Sequence, residues 1–517
     1  MSEKKKKKKK RWLWIHKWFS IVLTVFVVIW SLSGIFMNHR DWIRSWDVPR
    51  SALPKEYAMG NWNFGALNGG LRLNSTQMLV YGNEGCFLTD NSFSQFNDYN
   101  NGFGAGADGR KIYDIVRWGD QLFAATEFGL YYKPDLYSDW MYYGLPTKEE
   151  RIVDLDLLND KLLLATRSDI FTMTKQGNDY SVVKEELLPA KNLDGKVSLF
   201  RTFWMIHSGE IFGFAGKIFV DIMALLMIFF AISGLVMWII PKRIRKKRED
   251  KEKKKKLSKR YKWHHKYHLK VGIWVVIFLM IITITGMFLR PPLLIPIASS
   301  RVSKIAGTHL DQPNPYFDII RAVHFDKKRN KVLVGTIEGI YTVDTAFNDV
   351  PDLSKLQPPI SVMGINVMED SPSGHYLVGS FSGLFEWNPY DDVLLDYFSG
   401  APPVINRGGP PIGKNAVSGV IQDSISGDFY IDYNDGVIGM TPRAAKSLTM
   451  PKELRENSRM SFWNLCLETH TARIFQPIVG KFYILIIPLF GLFTFLILLS
   501  GLILWLKRAF RRKRKVD

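Results

Sequence analysis

Histidines are the side chains of this 517-residue chain that are best suited to chemistry, and there are ten of them. Four occupy matching positions beside long apolar runs: His16, His268, His207 and His470. A polar ring near a bilayer needs a partner, so an ionisable residue placed there is a candidate for function. Neutral imidazole is a good axial ligand for haem iron, and its second ring nitrogen can be held by a carbonyl or carboxylate. We assign no catalytic side chain.

The pairing of these histidines follows from an internal duplication. Superposing Ser-Leu-Ser-Gly-Ile-Phe, which closes the first apolar run, on Thr-Ile-Thr-Gly-Met-Phe, which closes the third, lays His16 on His268. The segment His207-Ser-Gly-Glu-Ile-Phe also aligns with His470-Thr-Ala-Arg-Ile-Phe. Facing histidines on separate helices are a common way to build a cofactor site in a bundle. We therefore expect both pairs to face each other and to hold two haems at two depths.

Other assignments of these histidines remain open. His265 could replace His268, because the cluster Trp-His-His-Lys-Tyr-His leaves the register undecided. His39 could replace either member of the second pair. A zinc or copper ion is an alternative, although a facing pair offers only two ligands. Histidines at a membrane interface can also simply cap helices or bind headgroups. The remaining periplasmic-segment histidines have no ligand spacing and are expected to have ordinary surface roles: His309, His324 and His375.

Three charged residues near the second pair could support it. Glu210 could orient His207, although a carboxylate in a first helical turn is also favourable capping electrostatics. Asp221 is unusual inside an apolar run. Its i,i+4 spacing favours a local ion pair with Lys217, and a role in a proton path is the alternative. Arg473 stands where the first half has Glu210, and could contact a haem propionate or an anionic substrate.

Four apolar runs of at least 19 residues must position these groups. None contains a charged residue, and each is long enough to cross a hydrocarbon core of about 30 Å. They are Phe19–Met37, Ile222–Ile240, Val271–Leu289 and Phe482–Leu506. We predict four transmembrane helices. Two pairs of equivalent helices suggest a four-helix bundle with a pseudo-twofold axis along the membrane normal.

The charge distribution sets the expected orientation. The net charge is +20, but the excess of basic residues lies in 1–18, 242–270 and 507–517, and the rest of the chain is net negative. This pattern argues against a nucleic-acid partner and is typical of cytoplasmic flanks of membrane spans. Residues 40–206 and 290–469 should then be periplasmic, in a bacterial inner membrane. Only two cysteines are present, which excludes a disulfide scaffold.

The two presumed periplasmic segments read as β-structure. The stretch beginning at Leu122 recurs 40 residues on at Leu162, and the stretch beginning at Val332 recurs 44 residues on at Tyr376. Weaker copies lie at Tyr81–Leu88 and Phe429–Val437. Strand pairs at this period are typical of propeller blades. We expect about three blades per segment and one shared propeller of about six, with two small β domains as the alternative. The blades loosely resemble the sensory propellers of two-component regulators.

The helical motifs resemble the PepSY-associated transmembrane family. The resemblance rests on Arg11-Trp-Leu-Trp-Ile-His16-Lys-Trp with the run ending Leu-Ser-Gly34, and on His207-Ser-Gly-Glu-Ile-Phe with its copy at His470. It implies a bacterial inner-membrane protein of iron acquisition, similar to dihaem ferric-siderophore reductases. It also implies two b-type haems on the four paired histidines. The chain departs from the family in its blade-like segments and in His39, where an apolar residue is typical.

The expected fold is therefore a four-helix membrane bundle plus an all-β periplasmic domain built from two segments. The predicted boundaries are a basic tail and helix 1 (1–39), β blades (40–206), helix 2 (207–241), a basic linker (242–262), helix 3 (263–289), β blades (290–469), helix 4 (470–506) and a basic tail (507–517).

The expected function is that of a haem-dependent reductase of a periplasmic ferric complex. No Gly-x-Gly-x-x-Gly fingerprint follows a strand, so the electron donor should be a separate reductase or a quinol. Two alternatives are a membrane-anchored propeller that binds or senses a partner without a redox cofactor, and a permease for siderophore or haem.

Overall fold

The computed structural model describes residues 3–147, 151–177, 179–193, 195–246, 250–361, 363–403, 413–445 and 448–513. The chain divides into two compact units, each assembled from separate segments. The first unit comprises residues 1–43, 195–312 and 463–517, and its described part is mainly helical. The second unit comprises residues 44–194 and 313–462 and is mainly β-sheet.

The described residues contain ten α-helices. Their bounds are α1 (Glu3–Asn38), α2 (Arg40–Ile43), α3 (Gly106–Gly109), α4 (Leu199–Ser208), α5 (Gly213–Lys246), α6 (Lys251–Phe288), α7 (Lys452–Asn457), α8 (Phe462–His470), α9 (Gln476–Val479) and α10 (Ile486–Lys513). Among the long helices, α1 packs against α5 and α10, and α6 packs against the same two.

Four segments are long and apolar enough to cross a membrane: Arg11–Asn38, Glu210–Lys246, Lys251–Phe288 and Arg473–Phe510. They contain three of the predicted runs completely, and Val271–Leu289 except for its last residue, so the prediction of four membrane helices is confirmed. The chain is therefore a multi-pass membrane protein.

The sequence predicts that the second and fourth spans begin at His207 and His470. In the structure they begin after these histidines. His207 lies in the last turn of α4, and His470 is the last residue of α8. Gly209 (φ 82°) and Ala472 (φ 60°) follow them in the left-handed conformation, which ends an α-helix. Short 3₁₀ turns come next, before α5 and α10. Each histidine of the second pair is thus carried on a short helix of its own.

The third span begins earlier than predicted. The basic linker assigned to 242–262 is helical from Lys251 onward, and α6 runs without a break to Phe288. The Asp250 side chain caps this helix by accepting a hydrogen bond from the Lys253 amide at 2.9 Å. Lysine is a good helix former, so the basic stretch continues the helix instead of interrupting it.

The strands are numbered in chain order. After β1 (Asp47–Pro49), sheet one holds β2 (Gly69–Arg72), β3 (Gln77–Gly82), β4 (Gly85–Asp90) and β5 (Phe96–Asp98). Sheet two holds β6 (Ile112–Trp118), β7 (Gln121–Thr126), β8 (Gly129–Lys133) and β9 (Met141–Tyr143). Sheet three holds β10 (Ile152–Leu158), β11 (Lys161–Thr166), β12 (Ile170–Gln176) and β13 (Asp179–Glu185).

In the helical unit, β14 (Lys196–Ser198) pairs with β15 (Arg301–Ser303). Sheet four then holds β16 (Ile320–Asp326), β17 (Lys331–Thr336), β18 (Gly339–Asp344) and β19 (Asp352–Leu353). Sheet five holds β20 (Val367–Asp370), β21 (Tyr376–Ser380), β22 (Gly383–Asn388) and β23 (Val393–Asp396). Sheet six holds β24 (Val417–Ile421), β25 (Phe429–Asp432) and β26 (Gly436–Gly439). Finally, β27 (Arg459–Ser461) pairs with β1.

The six sheets are antiparallel meanders, three from each segment, and they are joined in a cycle. Each sheet packs against the next, and sheet six packs against sheet one through β24 and β2. One buried apolar cluster lies at each of the six junctions. The junction that closes the cycle includes Trp62 and Phe429, both buried. The amide of Val437, in β26, also donates to the carbonyl of Asn61 at 3.1 Å, which ties the last sheet to the start of the unit.

The repeated sequence pattern corresponds to one turn, between the second and third strands of a sheet. In sheets two and four the hydroxyl groups of Thr126 and Thr336 donate to the carbonyls of Gly129 and Gly339. Both glycines have a left-handed φ, of 131° and 134°. A side chain would be strained in that conformation, which explains the glycine of the Thr-x-x-Gly pattern.

Titratable side chains from the first strands of four consecutive sheets meet in the β unit. His324 on β16 lies 3.2 Å from Asp156 of sheet three and 3.1 Å from Asp370 of sheet five. Although burial opposes its charge, these two carboxylates raise the pKa of His324 to about 10. Asp114, Asp154 and Glu369 lie nearby. Tyr81 donates to Asp114 at 2.7 Å, and Gln422 donates to Glu369 at 3.1 Å. We call these eight residues the polar hub: Tyr81, Asp114, Asp154, Asp156, His324, Glu369, Asp370 and Gln422.

Burial is the main cause of raised carboxyl pKa values in the polar hub. It raises the pKa of Asp114 to about 6 and, with the charge of Asp114, the pKa of Glu369 to about 7. Burial and Asp114 also raise the pKa of Asp154. The folded state therefore binds protons that the unfolded chain releases above about pH 4. His324 acts in the same direction, because its stabilisation is complete below its unfolded pKa and is lost as the pH rises toward 10.

The β unit should consequently become less stable as the pH rises from 5 to 8. Glu369 alone contributes on the order of 2–3 kcal/mol to this difference, because its pKa is raised to about 7 in the folded protein. Glu369→Gln and Asp154→Asn should each reduce the pH dependence, whereas Asp120→Asn, at a fully exposed site, should leave it unchanged. Thermal unfolding of the whole chain followed by far-ultraviolet circular dichroism measures it. Equal slopes in all four proteins would contradict this account.

Candidate functional site

The first histidine pair joins the starts of two spans. His16 is on α1, His268 is on α6, and their ring centroids lie 6.2 Å apart with an interplanar angle of 80°. His265, the alternative to His268, is directed elsewhere: its ring stacks on Tyr261 at 5.9 Å. The pair lies at the end of the bundle that carries the lysine-rich segments.

The second histidine pair lies at the opposite end of the spans. His207 on α4 and His470 on α8 have ring centroids 6.0 Å apart and an interplanar angle of 56°. The structure therefore brings together both pairs that were expected from the duplication. We call them the His16–His268 layer and the His207–His470 layer.

The Nδ1 atoms of three of these histidines lie within hydrogen-bonding distance of a backbone carbonyl on a neighbouring helix. His207 Nδ1 lies 2.8 Å from the Ile282 oxygen, His16 Nδ1 lies 3.1 Å from the Ile497 oxygen, and His470 Nδ1 lies 3.1 Å from the Trp30 oxygen. A carbonyl oxygen can only accept, so each Nδ1 carries the hydrogen and Nε2 keeps its lone pair. That tautomer is the one in which Nε2 can bind a metal.

Serine hydroxyls also contact these Nδ1 atoms. We call the carbonyl and hydroxyl groups that hold one Nδ1 atom the anchor of that histidine. Ser500 lies 3.0 Å from His16 Nδ1, Ser33 lies 3.1 Å from His470 Nδ1, and Ser233 lies 2.7 Å from His268 Nδ1. Ser233 donates its own hydrogen to the Phe230 carbonyl at 3.2 Å. Its oxygen is therefore free to accept from His268, which gives the fourth histidine the same tautomer as the other three.

A glycine follows the serine or threonine at each anchor, and at three of the four anchors it makes room for the ring. A Cβ placed on Gly286 would lie 2.5 Å from His207 Cε1, and one on Gly34 would lie 3.2 Å from His470 Cε1. A Cβ on Gly501 would lie 3.3 Å from His16 Cε1. At the fourth anchor, a Cβ on Gly234 would meet no atom within 4 Å. The repeated Ser/Thr-Gly motifs thus support the histidines, a role that the sequence analysis did not assign to them.

The spacing of the rings fits axial ligation of a haem iron. A metal about 2 Å from one nitrogen of each ring separates the centroids by about 6 Å, because each centroid lies about 1 Å beyond its nitrogen. The described residues offer no group of three or more His, Cys, Asp or Glu side chains that could hold a bare metal ion. Two nitrogens per layer therefore suit an iron whose other ligands come from a porphyrin better than they suit zinc.

His39 is buried in a different arrangement, beside the His207–His470 layer. Its Nε2 lies 2.5 Å from Asp221 Oδ2, and its ring stacks on Trp42 at 3.8 Å. Asn38 donates to Asp221 Oδ1 at 3.2 Å and to the Ser208 carbonyl at 3.1 Å. His39 is thus directed toward a carboxylate, and it does not face either histidine of this layer.

The predicted ion pair between Lys217 and Asp221 is not formed. Lys217 instead lies 3.4 Å from Glu210, for which the sequence left open a helix-capping role and the orientation of His207. Helical spacing alone suggested the first pairing, but the side chain of Asp221 is turned toward the end of α1. Arg473, the other predicted contact residue, is 2.6 Å from Glu468.

The chain belongs to the PepSY-associated TM region family. The family profile matches residues 1–240 and, in a second overlapping match, residues 172–508. This confirms the resemblance drawn from the helical motifs. No curated protein matches the sequence.

Solved structures resemble the chain only distantly. The extracellular domain of a putative hybrid two component system from B. thetaiotaomicron is 8% identical, with a TM-score of 0.37 over 72% of this chain and 32% of that one. The extracellular domain of a putative one component system from the same organism is 11% identical, with a TM-score of 0.33 over 74% and 39%. The chain spans about a third of the length of these two proteins.

A third structure, the computationally designed Ika8 protein, is 9% identical, with a TM-score of 0.27 over 74% of this chain and 96% of that one.

The supporting role of Gly286 can be tested by comparing its substitution with that of Gly234. Gly286→Ala should displace His207, because the added methyl group would overlap its ring. Gly234→Ala occupies the same place in the repeated motif but has open space, and it should be neutral or slightly stabilising through helix propensity, by up to about 1 kcal/mol. The melting temperature in detergent measures the difference. Equal behaviour of the two variants would contradict the supporting role of Gly286.

The His39–Asp221 pair should stabilise the membrane unit. Asp221→Asn removes one partner of a buried pair and should cost about 3 kcal/mol. Glu210→Gln breaks the more exposed pair with Lys217 and should cost less than about 1 kcal/mol. Melting temperatures in the same detergent compare the two variants, and a larger loss in Glu210→Gln would overturn the ranking.

Proposed function

We propose that this chain is a transmembrane dihaem electron-transfer protein that reduces a ferric complex in the periplasm. One observation carries the proposal: two facing histidine pairs lie at opposite ends of the spans, and hydrogen bonds at Nδ1 leave the Nε2 lone pairs of all four rings available for a metal. His16 and His268 would hold one haem, and His207 and His470 would hold a second.

The residues of the chain would do three things in this reaction. Bound b-type haem would supply a one-electron carrier at each layer. The carbonyls and serine hydroxyls hold the imidazoles in one tautomer, the glycines let neighbouring helices approach them closely, and the apolar spans exclude water. One electron delivered to Fe³⁺ yields Fe²⁺, which hard oxygen ligands hold more weakly, so that reduction favours release of the iron.

The orientation follows from the charge pattern. The basic segments at the His16–His268 layer would be cytoplasmic, together with both termini, and the protein would lie in a bacterial inner membrane. Electrons would then enter at the His16–His268 layer, from a separate cytoplasmic reductase or a quinol, and leave at the His207–His470 layer. The equivalent histidine anchors in the two halves support an origin by internal duplication.

The β unit would be a six-bladed propeller built jointly by the two periplasmic segments. Support comes from the six meander sheets, the cyclic order of their contacts and the six apolar junctions. This arrangement favours one shared domain over two small ones, and it would leave no sheet edge unprotected at the junctions.

A second candidate function rests on the same β unit. A cyclic set of sheets that gathers charged side chains at the polar hub could bind a partner or a ligand without any redox cofactor. In that case the histidine layers would be structural, and His16→Ala and His268→Ala would be tolerated.

The optical spectrum of the detergent-purified protein tests the proposal. We expect a sharp reduced α band and about two haems per chain. His16→Ala and His207→Ala should each remove one haem, whereas His375→Ala, at a histidine of the β unit, should remove none. A colourless protein from haem-replete cells would refute the electron-transfer function and support the binding function.

A further inference from the structure

Two arginines lie just beyond the His207–His470 layer. Arg290 follows the end of α6, four residues after Gly286, whose backbone packs against the His207 ring. Arg473 comes three residues after His470, in the 3₁₀ turn that follows α8. Each arginine is thus about one helical turn along the chain from a contact of this layer.

The two guanidinium groups lie within range of electrostatic interaction with one another. Burial lowers the pKa of Arg290, and the positive charge of Arg473 lowers it further, while a hydrogen bond to Tyr483 acts in the opposite direction. Like charges in a partly buried place repel, so their proximity requires compensation by negative charge. Sequence analysis had singled out Arg473 but not Arg290, because only the fold brings the two together.

Glu468 lies 2.6 Å from Arg473 and is the carboxylate that also acts on Arg290. Two positive charges therefore lie near one carboxylate among these described residues. The Nε atom of Arg473 is also buried and has no hydrogen-bond partner in the described part of the chain. A buried donor gains free energy when an acceptor reaches it, so a bound carboxylate would be favoured there.

The two halves of the duplicated unit differ in charge at these positions. The residue that aligns with Arg473 in the first half is Glu210, which pairs with Lys217 at 3.4 Å. When Gly34 is superposed on Gly286, the residue that aligns with Arg290 is Asn38. The two arginines are thus particular to the second half at these positions.

We propose that Arg290 and Arg473 form a binding site for carboxylate groups beside the His207–His470 layer. The guanidinium fork matches a carboxylate, and such charge-assisted hydrogen bonds are among the strongest in proteins. The carboxylates have two chemical sources: the propionate side chains of a haem held by this layer, or the carboxylates of a ferric hydroxycarboxylate chelate. This inference rests on the proposed function and adds the anion that the layer recognises.

The variants for the test are Arg290→Gln and Arg473→Gln, with Arg290→Lys and Arg473→Lys to retain the charge. Lys217→Gln is the matched control, because it removes one positive charge at the same end of the spans without touching the arginine pair. Retention of the wild-type elution profile and circular dichroism establishes that each variant is folded.

Redox titration and steady-state kinetics distinguish the two sources. If haem propionates bind, each Arg→Gln variant either loses one haem or makes one haem harder to reduce. In the second case the reduced-to-oxidised ratio of that haem shifts about tenfold toward the oxidised form at a fixed potential, because a nearby positive charge favours the added electron. If a chelate binds, haem content and potential stay unchanged, and KM for ferric citrate rises about tenfold while KM for an uncharged ferric hydroxamate does not. Lysine should rescue either effect in part.

The proposal is overturned if both Arg→Gln variants match Lys217→Gln in haem content, potential and KM. If the wild-type protein carries no haem, the proposed function fails separately, and citrate itself becomes the probe. Citrate should then raise the melting temperature of the wild-type protein, and of Lys217→Gln, but not that of the Arg→Gln variants. Equal stabilisation of all of them, or of none, would also overturn the proposal.

Discussion

The hydrogen bond at Nδ1 of each paired histidine is the constraint on which the membrane unit depends. An imidazole can bind a metal through Nε2 only if the ring is held in the right tautomer and orientation. In an apolar span the available acceptors are backbone carbonyls and serine hydroxyls of neighbouring helices. Three anchors use a carbonyl located three residues before a serine or threonine, and one uses the serine hydroxyl itself. This requirement places two helices against each histidine and explains the glycines, since a side chain at three of the four positions would press on the ring.

The two halves of this unit share the anchors but differ in their charges. The first half contains the buried His39–Asp221 pair and the neutral Glu210–Lys217 pair. The second half contains Arg290 and Arg473 with a single carboxylate, Glu468. The anchors are shared because the histidines of both layers must be held in one tautomer. The charges differ, and they determine the electrostatic potential at the His207–His470 layer. Because charge and burial tune the potential of a haem, charges that lie beside only one layer would make the haems of the proposed two layers inequivalent.

The β unit follows a different principle, in which apolar junctions close a cycle and polar groups gather where its first strands converge. The second strand of a sheet such as β11 is buried at nearly every position, because neighbouring sheets cover both of its faces. The first strands instead carry Asp114, Asp154 and Glu369. Burial and neighbouring carboxylates disfavour the charged forms of these side chains and so raise their pKa values. His324 offsets part of that cost by pairing with Asp156 and Asp370, which come from two different sheets.

Sequence alone determined the membrane spans, the family and the choice of four histidines, because uncharged runs and short repeated motifs are local properties of a chain. It also predicted three strand repeats per segment from their period. Sequence alone did not reveal that His207 and His470 end short separate helices, since a left-handed Ala472 has no reliable local signal. It could not identify the partner of Asp221 either, because four-residue spacing pointed to Lys217 while His39 lies 182 positions away in the chain. The anchors at Nδ1, the Arg290–Arg473 proximity and the closure of the sheet cycle were decided only by tertiary structure, because each depends on contacts between segments that are far apart in the chain.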